Sequence, residues 1–345
     1  MSGDERPTGD ATKPAGDVTP SGATDPVDDA TLALLVEVAG TPKPGNVDRR
    51  RDLADLRFEA FLGGAVGARP GLELAAEAGA NAGDPPGVGD AFERAVAGMA
   101  DRAGTNTQFG CLLLLVPLVR AAADPERELS REGVDAVCRS TTVDDAVAFY
   151  RAFEHVDVAV DDPPPGADDL DVRRGSDAEP AVREREIPLR DVLALSPDPG
   201  DPETMEDRVP DRNAQEWTEG FPRTFRAAEW ILTDEGPLAD RAARAFLGLL
   251  AAEPDTLVAS TLDAETAREA SGRARAILES DAGDPSGPVG DVSGVDADAV
   301  HGGDLKAAES LAEAFVAEGI NPGTTADLTC AALFVALRRG AEVAP

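Results

Sequence analysis

The sequence predicts an all-α fold, folded as a single multi-helix globular domain. Apolar residues make up 42% of the chain and recur at helical spacing almost everywhere, whereas the alternation that is typical of strands is scarce. No linker separates two independent cores. We therefore expect one domain over residues 28–345, preceded by a disordered acidic tail over residues 1–27 that is rich in Gly, Pro, Asp and Thr.

The periodic blocks indicate where the helices lie. The run from Leu112 to Val116 is apolar on every side, which predicts a central buried helix that Pro117 either kinks or restarts. Residues 157–188 and 281–303 are acidic and rich in Gly or Pro, which predicts two loop insertions on the surface. The predicted helices lie near 28–40, 52–66, 88–103, 108–123, 142–156, 203–218, 222–234, 237–252, 263–280, 304–319 and 325–340.

The charge of the chain is extreme. A formal net charge of -34 excludes general binding to nucleic acid, which requires a basic surface. Disorder would also explain such a charge, but the periodic apolar blocks favour a packed core. We interpret the charge as that of a protein from an extreme halophile, in which molar salt shortens the Debye length to roughly 3 Å and weakens self-repulsion.

The cysteines and the apolar runs indicate the compartment. The three cysteines lack metal-binding spacing and lie in apolar helical contexts, so we expect buried free thiols in a reducing environment. No secretion signal precedes the domain, and no apolar run approaches the roughly 18 residues that span a bilayer. These features predict a cytoplasmic protein that binds no membrane; they leave its oligomeric state undefined.

Three polar turns, each joined to a strongly apolar helix, share a composition of Gly, Asn and Thr. They are the first polar turn (residues 41–49), the second polar turn (104–110) and the third polar turn (321–327). Helix N-termini carry unpaired N–H groups that bind phosphate, and glycine allows a ligand to approach the backbone. Simple helix capping would explain each turn separately. Their recurrence beside core helices predicts a shared ligand site.

Lys43 is the most distinctive residue of these turns. It is one of only three lysines, and two prolines flank it, so its ammonium should lie on a stiff, non-helical turn. Such a group suits a phosphate or carboxylate partner, although a solvated lysine at a helix end is the plainer interpretation. In the third polar turn, we expect Thr324 to be an N-cap, with Asp327 completing a capping box.

A set of carboxylates follows the first polar turn. Asp48, Asp52, Asp55 and Glu59 are three or four residues apart, so a helix would place them on one face. Mg²⁺ bound by one or two of them and by substrate phosphates fits this arrangement. Pairing with the neighbouring arginines would account for the same residues without a metal.

The three polar turns together resemble those of the triphosphoribosyl-dephospho-CoA synthase family. The resemblance rests on a TPKPG-x-VD segment (residues 41–48), an NT-x-x-G segment (106–110) and an NPG-x-x-AD-L segment (321–328), in the order of the family. It implies an all-α enzyme that joins ATP to 3′-dephospho-CoA and releases adenine. A ribose hydroxyl of the acceptor attacks C1′ of ATP through an oxocarbenium-like state, and the triphosphate stays intact.

The resemblance assigns roles to particular residues. Lys43 would neutralise triphosphate charge together with Mg²⁺ bound by Asp52, Asp55 and Glu59. A carboxylate among Asp48, Asp52 and Asp55 would accept the proton of the attacking hydroxyl. The helix that starts at Thr324 would bind a phosphate. The other substrate-binding or phosphate-binding candidates are Gly45, Asn46, Arg49, Asn106, Thr107, Gln108, Asn321, Gly323 and Asp327.

The chain departs from the family at two motifs. Members of the family carry a histidine soon after TPKPG and an NTHKG segment, whereas here Gln108 and Phe109 replace the histidine and lysine of the second motif. His155 and His301 lie outside the motifs and are predicted to be ordinary surface or partly buried residues. Two alternatives therefore stay open: a metal-dependent hydrolase of a nucleotide or phosphorylated substrate, and a non-catalytic nucleotide-binding protein.

A secondary candidate lies at residues 211–217. Arg212 could bind a phosphate and Trp217 could stack on a base. Helix capping by this segment and packing of Trp217 in the core are the plainer interpretation.

Overall fold

The computed structural model describes residues 24–80, 86–125, 129–195, 208–279 and 294–343. This part of the chain is about 70% helical and contains no strands, which confirms the predicted all-α class. Two 3₁₀ helices, Asp168–Leu170 and Val172–Ala178, lie between the sixth and seventh α-helices of the chain. The α-helices are α1 (Pro26–Ala39), α2 (Phe58–Ala80), α3 (Val88–Ala103), α4 (Phe109–Ala122), α5 (Arg131–Arg139), α6 (Val143–Ala152), α7 (Glu179–Glu184), α8 (Leu189–Ala194), α9 (Arg212–Glu219), α10 (Pro222–Thr233), α11 (Leu238–Ala252), α12 (Thr256–Thr261), α13 (Ala264–Glu279), α14 (Ala297–His301), α15 (Leu305–Glu318) and α16 (Gly323–Arg338).

Helices α4 and α16 form the centre of the molecule. Leu112, Leu114 and Val116 are fully buried, which confirms the predicted central helix, and α4 continues through Pro117 to Ala122. The main apolar core surrounds these two helices with residues of α1, α2, α3, α6 and α10. A second core joins α11, α13 and α15, and α11 contributes to both. The starts of α4 and α16 therefore lie where the cores and their connecting loops meet.

The first helix of the domain begins where its sequence provides a cap. Asp25 accepts a hydrogen bond from the N–H of Val27 (2.8 Å), and Pro26 occupies the first helical position, where its missing N–H costs nothing. The domain thus starts two residues before the predicted boundary. Most of the predicted acidic tail, residues 1–23, lies outside the described residues.

The predicted helix over 52–66 is wrong at both ends. Residues 52–57 form a turn, in which the N–H of Leu53 donates to the carbonyl of Leu56 (2.9 Å), and α2 begins only at Phe58. Its C-terminal part extends to Ala80 through Pro70 and several glycines. Those residues weaken helix propensity, and packing against α3 overrides that weakness.

The two predicted loop insertions contain more helix than expected. Residues 157–188 hold both 3₁₀ helices and α7, and their longest irregular stretch is residues 157–167. In the second insertion α14 packs on α10 and α11, while residues 281–293 lie outside the described part. The sequence prediction also missed the short helices α5, α8 and α12. Of the predicted helix at 203–218, α9 accounts for residues from Arg212 onwards.

Other expectations concern single residues. All three cysteines are free and buried, as predicted. His155 and His301 are partly exposed residues, His155 lying beside Glu93 and His301 beside the Trp230 carbonyl. Within the described ranges, no helix combines the length and apolar character that a bilayer crossing requires.

Candidate active site

One cavity of about 350 Å³ is lined by residues from all three polar turns. Helices α1, α4, α9 and α12 and the start of α16 form its polar end. The prediction that the three turns converge on a single hollow is therefore confirmed. The residues that the turns contribute to its lining are Asn46 and Val47 from the first, Asn106, Thr107, Phe109 and Gly110 from the second, and Asn321, Gly323, Thr324, Ala326 and Asp327 from the third.

The first and third polar turns are joined directly. The Asn46 side-chain amide donates to Asn321 Oδ1 (2.9 Å), across 275 positions of sequence. Gly45 makes this approach possible, because its φ of 72° is left-handed and a Cβ there would overlap the carbonyl oxygen of Ile320. The glycine of the TPKPG segment is thus a packing requirement, and it fixes the position of Asn46 in the cavity wall.

We expect Gly45→Ala to lower the free energy of unfolding by about 2–5 kcal/mol, because a left-handed alanine costs about 1–2 kcal/mol and overpacking adds about 1–3. The control is Gly319→Ala, since Gly319 has nearly the same φ (71°) but no atom within 4 Å of the added methyl group. Gly319→Ala should lose only the stability that a left-handed alanine backbone costs. Denaturant unfolding of both variants measures the difference, and equal losses would contradict the close approach at Ile320.

Lys43 is buried beneath the cavity, with only 1% of its surface exposed. Its ammonium forms an ion pair with Glu37 and donates to Asn46 Oδ1 (2.9 Å). Glu37 projects from the apolar C-terminal part of α1 and lines the cavity, whereas Lys43 does not. Burial raises the pKa of Glu37, and Lys43 opposes that shift. The Lys43 ammonium thus has a carboxylate partner within the protein, which is one of the two kinds of partner predicted for it, and the plainer interpretation of a solvated lysine is wrong.

Asp327 is a carboxyl group of the cavity whose pKa is strongly raised. Burial raises its pKa to about 7, against the opposing effect of hydrogen bonds from Asn213 and Cys111, and with a smaller contribution from the charges of Glu37 and Asp255. Asn213 Nδ2 donates to Asp327 Oδ2 (2.9 Å), and the Cys111 thiol donates to Oδ1 (3.2 Å). Three helices, α4, α9 and α16, therefore hold one carboxyl group that changes charge near neutral pH.

The close contact between Asp327 and α4 depends on Gly110. A Cβ at this position would overlap Asp327 Oδ2 and crowd the amide of Asn213. This contact explains why the second motif has a glycine at position 110, because the carboxyl group packs directly against the first turn of α4.

We expect Gly110→Ala to displace the Asp327 carboxyl group and to lower transferase activity by at least about tenfold, in line with the roughly 10²-fold that an ångström-scale misplacement costs. Gly272→Ala on α13 is the matched control, because nothing lies within 4 Å of the added methyl group and a helical alanine is stabilising by about 0.4–1 kcal/mol. Steady-state kinetics of both variants check this. Unchanged activity in Gly110→Ala would contradict the role of this contact.

The start of α16 differs from the predicted phosphate cradle. The helix begins at Gly323, so Thr324 lies inside it, and the predicted N-cap and capping box at Thr324 are wrong. The N–H and the hydroxyl of Thr325 both donate to Asp255 Oδ2 (2.7 Å each). An internal carboxylate thus already occupies this helix N-terminus, while Thr324 accepts from the N–H of Leu257 (3.3 Å) at the cavity wall.

The predicted carboxylate face does not form, because residues 52–57 are not helical. Asp48 is buried and accepts hydrogen bonds from Thr41 Oγ1 (2.8 Å) and Arg51 Nη1 (2.9 Å), which closes the turn. Asp52 accepts from the N–H of Phe58 (2.9 Å). Asp52, Asp55 and Glu59 are exposed and do not line the cavity.

These residues do not fit a magnesium site. Among the described residues, no group of three or more His, Cys, Asp or Glu side chains is arranged to hold a metal ion. Asp48 has its oxygens committed to the loop, and the other three predicted ligands point from a turn and from α2 into solvent. Resident Mg²⁺ bound by Asp52, Asp55 and Glu59 is therefore not supported.

Only some residues of the second polar turn line the cavity. Asn106 and Thr107 line the cavity, and Asn106 also donates to the carbonyl of Asp157 (3.2 Å) and accepts from the N–H of Phe109 (3.2 Å). Gln108 is buried below the lining, with its amide 3.4 Å from the carbonyl of Leu34. Arg49 of the first turn is exposed and does not line the cavity.

The structure of α9 decides between the two interpretations of the secondary candidate at residues 211–217. Asp211 caps it by accepting from the N–H of Ala214 (3.1 Å), and Trp217 is buried with its indole N–H donating to the carbonyl of Leu113 (3.1 Å). Capping and core packing are therefore the correct interpretation. Asp211 and Asn213 of this segment line the cavity, and Asn213 contacts Asp327. Sequence reasoning also missed Glu37, which stands out only as the one acidic residue in the apolar C-terminal part of α1.

Comparison with known proteins agrees with the geometry. The profile of the ATP:dephospho-CoA triphosphoribosyl transferase (CitG) family matches residues 23–344. The chain belongs to this family. It is therefore a transferase, and the family assignment supports neither the hydrolase nor the non-catalytic alternative.

A solved structure shares the fold. It is a protein from Archaeoglobus fulgidus, provisionally named a triphosphoribosyl-dephospho-CoA synthase, with 22% identity and a TM-score of 0.55; the match covers 81% of this chain and 100% of that one. At this identity the likeness concerns the fold. A search of curated proteins finds no significant match to the chain.

Proposed function

We propose that this transferase moves the triphosphoribosyl group of ATP to a ribose hydroxyl of a dephospho-CoA-like acceptor and releases adenine, with Asp327 as the general base. The observation that carries the proposal is a carboxyl group with a pKa of about 7 in the cavity that the three family motifs share. A base whose pKa lies near the working pH is deprotonated in a large fraction of molecules and still binds a proton strongly enough to accept it from the attacking hydroxyl.

The reaction forms a bond from the acceptor oxygen to C1′ and breaks the bond from C1′ to adenine. Asp327 takes the proton of the attacking hydroxyl, and adenine, which leaves with the electrons of its bond to C1′, is protonated by water. Positive charge develops at the ribose in an oxocarbenium-like state, and the Glu37 carboxylate in the cavity wall stabilises it. Asn213 Oδ1 is buried and has no hydrogen-bond partner among the described residues, so it is available to accept a hydrogen bond from a ribose hydroxyl.

The cavity is a poor site for a bare triphosphate. Its described lining carries the carboxyl groups of Glu37, Asp211 and Asp327 and those of three further aspartates, and its cationic lining residue is the exposed Arg208. We therefore propose that ATP enters with its own cations, as the magnesium complex in molar potassium. This explains the absence of a protein-made metal site among the described residues, because the ion belongs to the substrate.

Adenine release tests the proposal. Purified protein is incubated with magnesium-ATP in molar KCl, the condition that suits a chain of net charge -34, with and without dephospho-CoA. Adenine that appears only with dephospho-CoA, together with a triphosphoribosylated acceptor, is the expected result. Acceptor-independent release of base or phosphate would instead indicate a hydrolase. Stabilisation by ATP without turnover would indicate a non-catalytic binding protein.

A further inference from the structure

The cavity continues beyond its polar end as an apolar groove. Its apolar lining comes from α4, from α6 and the residue that follows it, and from α8, and includes Leu113, Phe153 and Leu193. The 158–165 segment (Val-Ala-Val-Asp-Asp-Pro-Pro-Pro), which links α6 to the first 3₁₀ helix, covers it from the other side, and every residue of that segment lines the cavity. The proposed proton transfer uses none of these residues.

The backbone of residues 158–162 is unpaired. Across the described ranges, no hydrogen bond joins the N–H or carbonyl groups of these residues to another residue. Residues 159, 161 and 162 are exposed and residues 158 and 160 are half-buried, so their free peptide groups along the cavity wall are accessible to an extended ligand. The three prolines that follow stiffen the segment, because each fixes its own φ.

We propose that this groove binds the pantetheine arm of the acceptor, an inference that rests on the proposed function. Dephospho-CoA is ADP esterified to pantetheine, whose chain carries two amide groups, a gem-dimethyl group and several methylenes. The amides can hydrogen-bond the free backbone groups of residues 158–162 as an added strand would, while the aliphatic parts contact Leu113 and Leu193.

The ring arrangement disfavours a nucleobase in the groove. Phe109 and Phe153 pack edge to face, with centroids 4.9 Å apart and planes at 62°, and Phe149 meets Phe153 at 5.3 Å and 80°. In an edge-to-face pair the edge of one ring packs on the face of the other, so contacts within this cluster already use ring faces that would stack on a base. With the arm in the groove, the ribose of the acceptor lies towards Asn46, Asn321 and Asp327.

Isothermal titration calorimetry in molar KCl tests the inference without requiring turnover. We expect dephospho-CoA to bind at least about tenfold more tightly than ADP, which lacks only the arm. Val160→Asp places a charge in the groove and should abolish that preference by weakening dephospho-CoA binding and leaving ADP binding unchanged. Val66→Asp is the control, because Val66 is 47% exposed on α2 and makes no part of the cavity.

The outcomes separate this inference from the proposed function. Equal affinities for dephospho-CoA and ADP, or a preference that survives in Val160→Asp, would overturn the pantetheine groove even if adenine is released normally. A lower affinity of Val160→Asp for both ligands alike would overturn it as well, since the groove would then not be specific for the arm. Failure of adenine release with the binding preference intact would contradict the proposed reaction alone.

Discussion

Replacing Asp327 with asparagine is expected to lower kcat/KM for adenine release by about 10²- to 10⁴-fold, which is the usual contribution of a positioned general base. Asparagine keeps the size of the side chain and can accept one of the two hydrogen bonds that Asn213 and Cys111 donate, but it cannot accept a proton. The activity of the unaltered protein should rise with pH through an apparent pKa of about 7, and this rise should be absent in the variant. Initial rates across about pH 5–9 measure both effects.

The same substitution should stabilise the fold at neutral pH. Because the folded-state pKa of Asp327 (about 7) lies above its unfolded value, its contribution to stability is fully present in acid and is lost as pH rises through about 7. Relative to the unaltered protein, Asp327→Asn should therefore gain about 2 kcal/mol between about pH 5 and pH 7. Denaturant unfolding at both pH values measures this gain.

The control for both effects is Asp55→Asn, which removes an exposed carboxylate outside the cavity lining. It should change neither the pH profile nor the relative stability. A loss of activity in Asp55→Asn as large as that in Asp327→Asn would indicate instead that the general base is one of the carboxylates that follow the first polar turn. A profile of Asp327→Asn that still rises near pH 7 would contradict the assignment of the base.

The sequence was sufficient to predict the class of fold and the meeting of the three polar turns. Both rest on strong local signals, namely long apolar periodicity and turns rich in Gly, Asn and Thr next to core helices. Residues 52–57 show where such signals fail. Their acidic spacing matches a helix face, but Leu53 and Leu56 close a turn instead, and the periodicity of so short a segment cannot distinguish the two.

The chemical roles of single residues could not be predicted from the sequence, because they depend on partners distant in the chain. The sequence predicted Asp327 as a capping residue and as a candidate for substrate binding, and its proposed role as the base rests on its burial and on its contacts with Asn213 and Cys111 in the folded cavity. Asp255, far away in sequence, fills the helix N-terminus that had been predicted to bind phosphate. Burial and long-range pairing set the pKa of a carboxyl group, and neither follows from local pattern.

Replacing Lys43 with methionine is expected to cost about 3–5 kcal/mol of stability, because it leaves the Glu37 carboxylate buried without its cation. Lys43 and Glu37 are 1% and 2% exposed, so water cannot replace the lost partner. The pKa of Glu37 is already raised by burial and should rise further in the variant. A carboxyl group with a raised folded-state pKa is stabilising in acid, so the loss should be smaller at about pH 5 than at about pH 8.

The double variant Lys43→Met/Glu37→Gln separates a buried ion pair from a phosphate-binding lysine. Removing both charges should recover most of the lost stability, since replacing a buried pair by neutral groups is often close to neutral. Denaturant unfolding of the two single variants and the double variant gives the coupling energy between the side chains. If Lys43 instead bound triphosphate in an open site, Lys43→Met would change the affinity for ATP at nearly unaltered stability, and the double variant would show no recovery.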